Sequence, residues 1–252
     1  MKTNHLVLSV FLIFCIVSCA ANIEVRKKQE EASRNLGEAY MQQGDFSSAL
    51  RELLKADKIY PKDPLLQNDL GLAYMAKGRL DLAVKHFKKA VKLKPDYAPA
   101  KNNLGTAYVA KREWDMAIIC FKEIIDDILY ATPHYPLTNL GWAYYNKQEY
   151  ELAEKYYREA LKLEPNFIIA LRGLGLTYIA MERAADAVVI LEKAVKNYPR
   201  SAEACFYLAR AYSLSREYEK AIKAYNKVIE LAPDSAIARE SEKEVEKISK
   251  SR

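Results

Sequence analysis

Leu70-Gly71-Leu72-Ala73-Tyr74 is a five-residue stretch that returns along the chain. Its counterparts are Leu36-Gly37-Glu38-Ala39-Tyr40, Leu104-Gly105-Thr106-Ala107-Tyr108, Leu140-Gly141-Trp142-Ala143-Tyr144, Leu174-Gly175-Leu176-Thr177-Tyr178 and Leu208-Ala209-Arg210-Ala211-Tyr212. The small residues stand at 37, 71, 105, 141, 175 and 209, with spacings of 34, 34, 36, 34 and 34. Twelve residues past each comes alanine (Ala49, Ala83, Ala117, Ala153, Ala187, Ala221), and four further on come Leu53, Phe87, Phe121, Tyr157, Leu191 and Tyr225. Pro61, Pro95, Pro165, Pro199 and Pro233 close five units at one offset. Apolar residues recur at helical spacing in both halves of each unit, which predicts two amphipathic helices per repeat. Proline cannot continue a helix and so ends the second one.

The polar residues after each proline, Asp63, Asp96, Asn166, Ser201 and Asp234, are expected to cap the next helix by accepting bonds from its free N–H groups. Gly44 and Gly78 mark the turns inside the first two units. The repeated glycine needs its own account, since glycine within a helix costs about 1 kcal/mol relative to alanine. Either the backbone there has positive φ or a neighbouring helix comes too close for a side chain. Ala209 fills the same place in the sixth unit, and alanine does not favour positive φ. The requirement is therefore read as one of size.

The pattern resembles the tetratricopeptide repeat, a 34-residue unit carrying Leu-Gly-x-x-Tyr, then Ala, then an aromatic residue, then Pro. The resemblance implies an all-α, right-handed superhelical solenoid of about six helix-turn-helix units. The boundaries read from the sequence are 1–18 for a signal peptide, 19–29 for a tether and 30–233 for the repeats. These divide at about 30–63, 64–97, 98–133, 134–167, 168–201 and 202–233, and 234–252 supplies a C-terminal capping helix. One repeat cannot bury its apolar face alone, so the last needs such a cap; Ile237, Val245 and Ile248 fall roughly on one face of it. The register breaks once, where Ile124-Ile125-Asp126-Asp127-Ile128-Leu129-Tyr130 runs on into Thr132-Pro133-His134-Tyr135-Pro136. Two readings stand there: a tolerated insertion, or a stiff aromatic rim with a binding role.

At the N-terminus, Lys2 leads an apolar run from Leu6 to Val17. Twelve residues are too few to cross a bilayer, which takes about 20, but they suit the core of a secretory signal. The run ends in Ile16-Val17-Ser18-Cys19, which resembles the bacterial lipoprotein box. That resemblance implies lipidation of Cys19 and its retention as the first residue of the mature chain. Plain secretion with cleavage near Ala20 or Ala21, and a retained anchor, are the competing readings. Two or more acyl chains give stable attachment where one is marginal. Ala20 after the cysteine resembles an outer-membrane address.

Composition excludes several function classes. The formal net charge is +6, from 39 basic and 33 acidic residues mixed along 252 positions, and nucleic-acid binding needs a concentrated basic footprint instead. His86 and His134 stand in different repeats without Cys or His neighbours at metal-ligand spacing. Gly173-Leu174-Gly175 lacks the strand and third glycine of a dinucleotide loop. No Walker loop or serine elbow is present, so the reading is no enzyme, no metal and no cofactor. Cys120 and Cys205 are separated by several helices about 10 Å wide, and a disulfide needs Cα atoms within about 7 Å. They are expected to be buried and reduced.

In this family the first helix of each unit lines the concave face. Positions three and four apart share a helix face, which gives Leu65, Asn68, Leu72 and Met75 in the second unit and Asn102, Thr106 and Val109 in the third. The fourth gives Tyr135, Thr138, Trp142 and Tyr145, and the fifth gives Ile169, Arg172, Leu176 and Ile179. Trp, Tyr and Arg dominate binding energy at interfaces. For Trp142, partner contact and core packing are both open. Two residues before each small residue stand Asn35, Asp69, Asn103, Asn139, Gly173 and Tyr207. Asparagine carries both donor and acceptor, so Asn103 and Asn139 suit an amide ladder along an extended peptide, or are ordinary occupants of the position. A lysine-plus-asparagine clamp for a C-terminal Asp is not evident.

A lipobox followed by six repeats resembles the outer-membrane tetratricopeptide lipoproteins of type IV pilus biogenesis, the PilW/PilF class, with a comparable mid-chain break at Leu129-Tyr130-Ala131-Thr132-Pro133. That resemblance implies a scaffold on the periplasmic side of the outer membrane, held there by its lipid. Its protein partner would be a secretin or another envelope assembly subunit. A general adaptor docking peptidoglycan enzymes is the alternative.

Overall fold

The computed structural model describes the backbone of residues 2–125 and 131–250, and the side chains of residues 22–125 and 131–250. Cys19 and residues 126–130 of the expected break lie outside the described side chains. The described residues form thirteen α-helices: α1 (Lys2–Gln42), α2 (Phe46–Ile59), α3 (Pro64–Ala76), α4 (Leu80–Leu93), α5 (Ala98–Ala110), α6 (Trp114–Ile125), α7 (His134–Asn146), α8 (Tyr150–Leu163), α9 (Ile168–Ala180), α10 (Ala184–Asn197), α11 (Ala202–Leu214), α12 (Tyr218–Leu231) and α13 (Ala236–Lys250). Residues 19–29, the expected tether, lie on α1. Among the described residues no helix is long and apolar enough to cross a membrane.

The chain divides into two compact units, Met1–Lys111 and Arg112–Arg252. In the first, α1 packs on α2 and α3 on α4, and the first helices α1, α3 and α5 meet in sequence. In the second, α7 pairs with α8, α9 with α10 and α11 with α12, while α13 packs on α12 and α11. This is the helix-pair stacking that the 34-residue period demands, because each amphipathic pair needs a neighbour to cover it.

The size requirement at the repeated glycine is met in the geometry. A Cβ on Gly37 would stand 2.7 Å from Leu53 Cγ, and one on Gly71 would stand 2.5 Å from Phe87 Cδ1. At Gly141 the obstacle is Tyr157 Cδ1 at 2.8 Å, and at Gly175 it is Leu191 Cδ2 at 2.6 Å. The glycine of the first helix and the large residue sixteen positions later are thus a packing pair. In the sixth unit Ala209 and Tyr225 fill the same two positions, both buried. The repeated alanines Ala49, Ala83, Ala117, Ala153, Ala187 and Ala221 are all fully buried. Leu36 departs from its counterparts: it is 45% exposed whereas Leu70 and Leu140 are at 0%. The motif leucine packs against the preceding repeat, and Leu36 has none before it.

Each turn within a repeat ends its first helix in the left-handed region. Gly44 (φ 77°) and Gly78 (φ 69°) do this as expected, but Arg112 (φ 60°), Gln148 (φ 63°), Glu182 (φ 58°) and Arg216 (φ 61°) adopt the same conformation without being glycine. The following N–H returns to the carbonyl of the motif tyrosine, as in Asp45 to Tyr40 at 3.0 Å, Arg79 to Tyr74 at 2.9 Å and Glu149 to Tyr144 at 3.0 Å. This is the double-bonded helix stop that favours left-handed glycine. A side chain in that conformation costs roughly 1–2 kcal/mol, partly offset by the entropy that glycine loses on folding. Gln148→Gly is therefore expected to stabilise the protein by up to about 1 kcal/mol. A thermal melt checks this, and a lowered midpoint would refute it.

The capping expectation is corrected at three of five positions. Asp63 accepts from Leu65 N at 2.8 Å and Ser201 from Ala204 N at 3.2 Å. Asp96 and Asn166 do not cap: the N-caps of α5 and α9 are Tyr97 and Phe167, without side-chain bonds. The cap falls two residues after the proline in these helices, as it does at Asp63 and Ser201, and Asp96 and Asn166 stand one residue short of it. Asn166 Oδ1 instead accepts from Asn197 Nδ2 at 3.0 Å. At α13 the cap is Ser235, which accepts from Ala238 N at 3.1 Å, rather than Asp234. Ile248 and Ala238 of α13 are buried against the last repeat. Cys120 and Cys205 are buried and form no disulfide among the described residues.

Candidate partner-binding faces

In the first unit the predicted face is partly consumed by the protein itself. Leu65 is exposed, and Leu72, Met75, Asn102, Thr106 and Val109 are half-buried. Asn68 is a correction: it is only 5% exposed, and its Oδ1 accepts from Asn103 Nδ2 at 2.8 Å. This bond ties α3 to α5 and engages one of the two N–H donors that Asn103 would offer a ladder. Thr106 Oγ1 donates to its own helix at Asn102 O, 2.9 Å away. His86 is packed rather than free, stacked on Tyr74 at 5.3 Å with Nδ1 2.8 Å from Gln67 Oε1. Burial holds its pKa below the ordinary value.

A charged cluster that sequence reasoning missed joins α1 to α3. Arg34 lies against Glu38 and within 3.4 Å of Asp69, 3.6 Å of Asp63 and 3.9 Å of Glu30. One guanidinium thus serves four carboxyls. Glu30 is 3% exposed and Asp69 is 8% exposed. Burial, with Asp63 alongside, pushes Glu30 up to about 7. Burial and the adjoining Glu38 likewise raise Asp69. Buried carboxyls of like charge hold protons where exposed ones would not. Asp63 had been legible only as a cap, and no spacing rule gathers these five residues.

In the second unit the first helices present an aromatic face. Tyr135 is 45% exposed and Trp142 38% exposed. The Trp142 indole stacks on Tyr145 with centroids 5.6 Å apart, and Tyr145 meets Tyr150 at 5.7 Å. Trp142 is therefore neither core nor free: one ring face is packed and the rest meets solvent. Tyr135 joins His134 and Phe167 in a group with centroids 4.4–5.2 Å apart. The Thr132-to-Pro136 segment serves to start α7, with Tyr135 N donating to Thr132 O at 3.1 Å. Leu176 and Ile179 are half-buried and Ile169 is exposed. Arg172 is ion-paired with Glu203 of α11.

Asn139, Trp142, Arg172 and Leu176 are brought together around a cleft of about 210 Å³ between α7 and α9. Thr138, Ile169, Gly173 and the Tyr157 ring complete its lining. Thr138 Oγ1 is turned back to His134 O at 2.7 Å. Tyr157 and Gly173 were missed as site residues, although one signal was present. Position 157 is tyrosine where Phe87 and Phe121 stand in earlier repeats, and position 173 is glycine where asparagine or aspartate stands.

Helix pairs stacked on a 34-residue period, with the first helices forming a face of aromatic and amide side chains, define a repeat scaffold for protein binding. The chain belongs to the tetratricopeptide-repeat family. Models of that repeat match residues 37–78 and 72–111, residues 135–167 and residues 178–240. Among solved structures the chain is similar to PilW, described as a widely conserved type IV pilus biogenesis factor. The TM-score is 0.78 at 22% identity, over 83% of this chain and 96% of that one. It is also similar to pilF of Pseudomonas aeruginosa, at TM-score 0.74 and 20% identity over 87% and 99%. MamA matches at TM-score 0.58 and 25% identity over 69% and 93%. No curated protein matches the sequence. The repeat fold implies protein partners.

Proposed function

We propose that this chain is a lipid-anchored scaffold of the bacterial envelope, on the periplasmic face of the outer membrane, that helps a type IV pilus machine assemble. The observation that carries this reading is a pairing: a fold that spans nearly all of PilW and pilF, behind an N-terminal Ile16-Val17-Ser18-Cys19. Lipidation of Cys19 would hold the repeats at the membrane, and the first-helix faces would capture a segment of a secretin subunit. Tethering raises effective concentration without new contacts. The chain would act by binding alone, with no catalytic step and no cofactor.

Two experiments test the proposal. Metabolic palmitate labelling is expected on the wild type and lost in Cys19→Ala; equal labelling of both would refute the anchor. In a deletion strain the secretin is expected to fail to multimerise while cell shape stays normal. Intact secretin with shape or division defects would instead favour an adaptor that docks peptidoglycan enzymes.

A further inference from the structure

The cleft between α7 and α9 has a tyrosine, Tyr157, in its wall. Tyr157 is 1% exposed and lines the cleft, with its hydroxyl lying against Gly173. A Cβ on Gly173 would stand 2.6 Å from that hydroxyl, so the tyrosine is tolerated only because position 173 has no side chain. Phenylalanine fills the equivalent buried place at Phe87 and Phe121. A tyrosine hydroxyl can donate to an acceptor that enters the cleft, which phenylalanine cannot do.

The surrounding charge defines what would enter. Across α7, α9 and α11 the charged side chains are Arg172, Glu203 and Arg210. Arg172 lines the cleft and already holds a carboxylate, that of Glu203, whose side chain is 58% exposed. An exposed ion pair contributes little, so another carboxylate can replace Glu203 at small cost. Arg210 is exposed and makes no ion pair among the described residues. It occupies in α11 the repeat position of Trp142 and Leu176. The face therefore offers two cations one repeat apart, donors at Tyr157 and Asn139, and an apolar wall of Trp142, Ile169 and Leu176.

We infer that this cleft receives the side-chain carboxylate of an acidic residue within an extended partner segment, with a large apolar neighbour against Trp142. The inference rests on the reading of this face as a peptide-binding surface. The carboxylate takes a bond from Tyr157 Oη–H and displaces Glu203 from Arg172. A second acidic residue further along the segment meets Arg210. Two separated cations match an internal acidic segment rather than a single chain terminus.

The test uses a positional-scanning library of C-amidated decapeptides bound to the full chain. Wild type is expected to select Asp or Glu beside a large apolar residue, with at least tenfold preference over Asn or Gln. Tyr157→Phe, which restores the residue of other repeats and so keeps the fold, and Arg172→Gln are each expected to abolish that preference. Glu203→Gln is expected to tighten binding several-fold. Absence of acidic selection, or selection unchanged in both Tyr157→Phe and Arg172→Gln, overturns the inference. So does a preference seen only in a parallel library with free C-termini. Peptide binding that needs Trp142 but ignores acidity sinks this inference alone. Binding indifferent to Trp142→Ala sinks the peptide-face reading beneath it.

Discussion

Gly71→Leu is expected to destabilise the protein by about 1–3 kcal/mol, the usual range for overpacking a filled core. The new Cβ would stand 2.5 Å from Phe87 Cδ1, closer than carbon atoms approach. Phe87 is fully buried. The helix pair α3–α4 must then separate, which also loosens the neighbouring cluster of Leu53, Ala56, Leu66, Leu70 and Ala73. Leucine gains about 1 kcal/mol of helix propensity over glycine, which lessens the loss without reversing it. For a chain of this size 1 kcal/mol moves the melting midpoint by about 2–4 °C, so a fall of several degrees is expected in a calorimetric scan. An unchanged midpoint would refute the close-packing account. Gly78→Ala serves as the contrast, because nothing lies within 4 Å of its Cβ and only its φ of 69° opposes the change.

The Arg34 cluster is expected to make the first unit more stable in mild acid than in mild base. Glu30 rises from 4.5 to about 7 and Asp69 rises from 3.8. Both are raised, so the folded state binds their protons more tightly than the unfolded chain does. The resulting stability is complete below the ordinary carboxylate values and is lost as pH climbs through about 7. The groups facing them are Glu31, Glu38, Asp63 and the single cation Arg34, with Tyr97 close to Asp69. Lys27 and Lys62 line the adjoining cleft. The melting midpoint is expected to rise by a few degrees between pH 8 and pH 5.5, on the order of 1 kcal/mol. The double variant Glu30→Gln, Asp69→Asn is expected to raise the midpoint at pH 8 and flatten the profile. A wild-type midpoint that falls over that interval would contradict the shared-proton arrangement.

Much of this molecule is legible without coordinates because a repeat states its rule several times over. Substitution of Ala209 for glycine was enough to separate size from backbone conformation, and the packing pairs Gly71–Phe87 and Gly175–Leu191 agree. The exposure of Leu36 follows from the same rule applied at the first unit. Less legible were the turns at Arg112, Gln148, Glu182 and Arg216, where the left-handed stop is imposed by two hydrogen bonds to the preceding helix. No composition signal marks such a stop once glycine is gone. The caps at Asp96, Asn166 and Asp234 failed because the cap falls two residues after the proline, as at Asp63 and Ser201, and these three stand only one residue after it.

The sequence by itself determined the helix pairs, their period, the residues that pack between them and which helix faces are apolar. These depend on spacing along one chain, which is directly readable. Only the tertiary structure decided which polar residues face one another. Asn68 was spent on Asn103, four carboxyls gathered on Arg34, and Tyr157 met Gly173 beneath Trp142. Hydrogen bonds and ion pairs depend on distances of a few ångströms between residues tens of positions apart, and the repeat register fixes helices far more firmly than it fixes side chains.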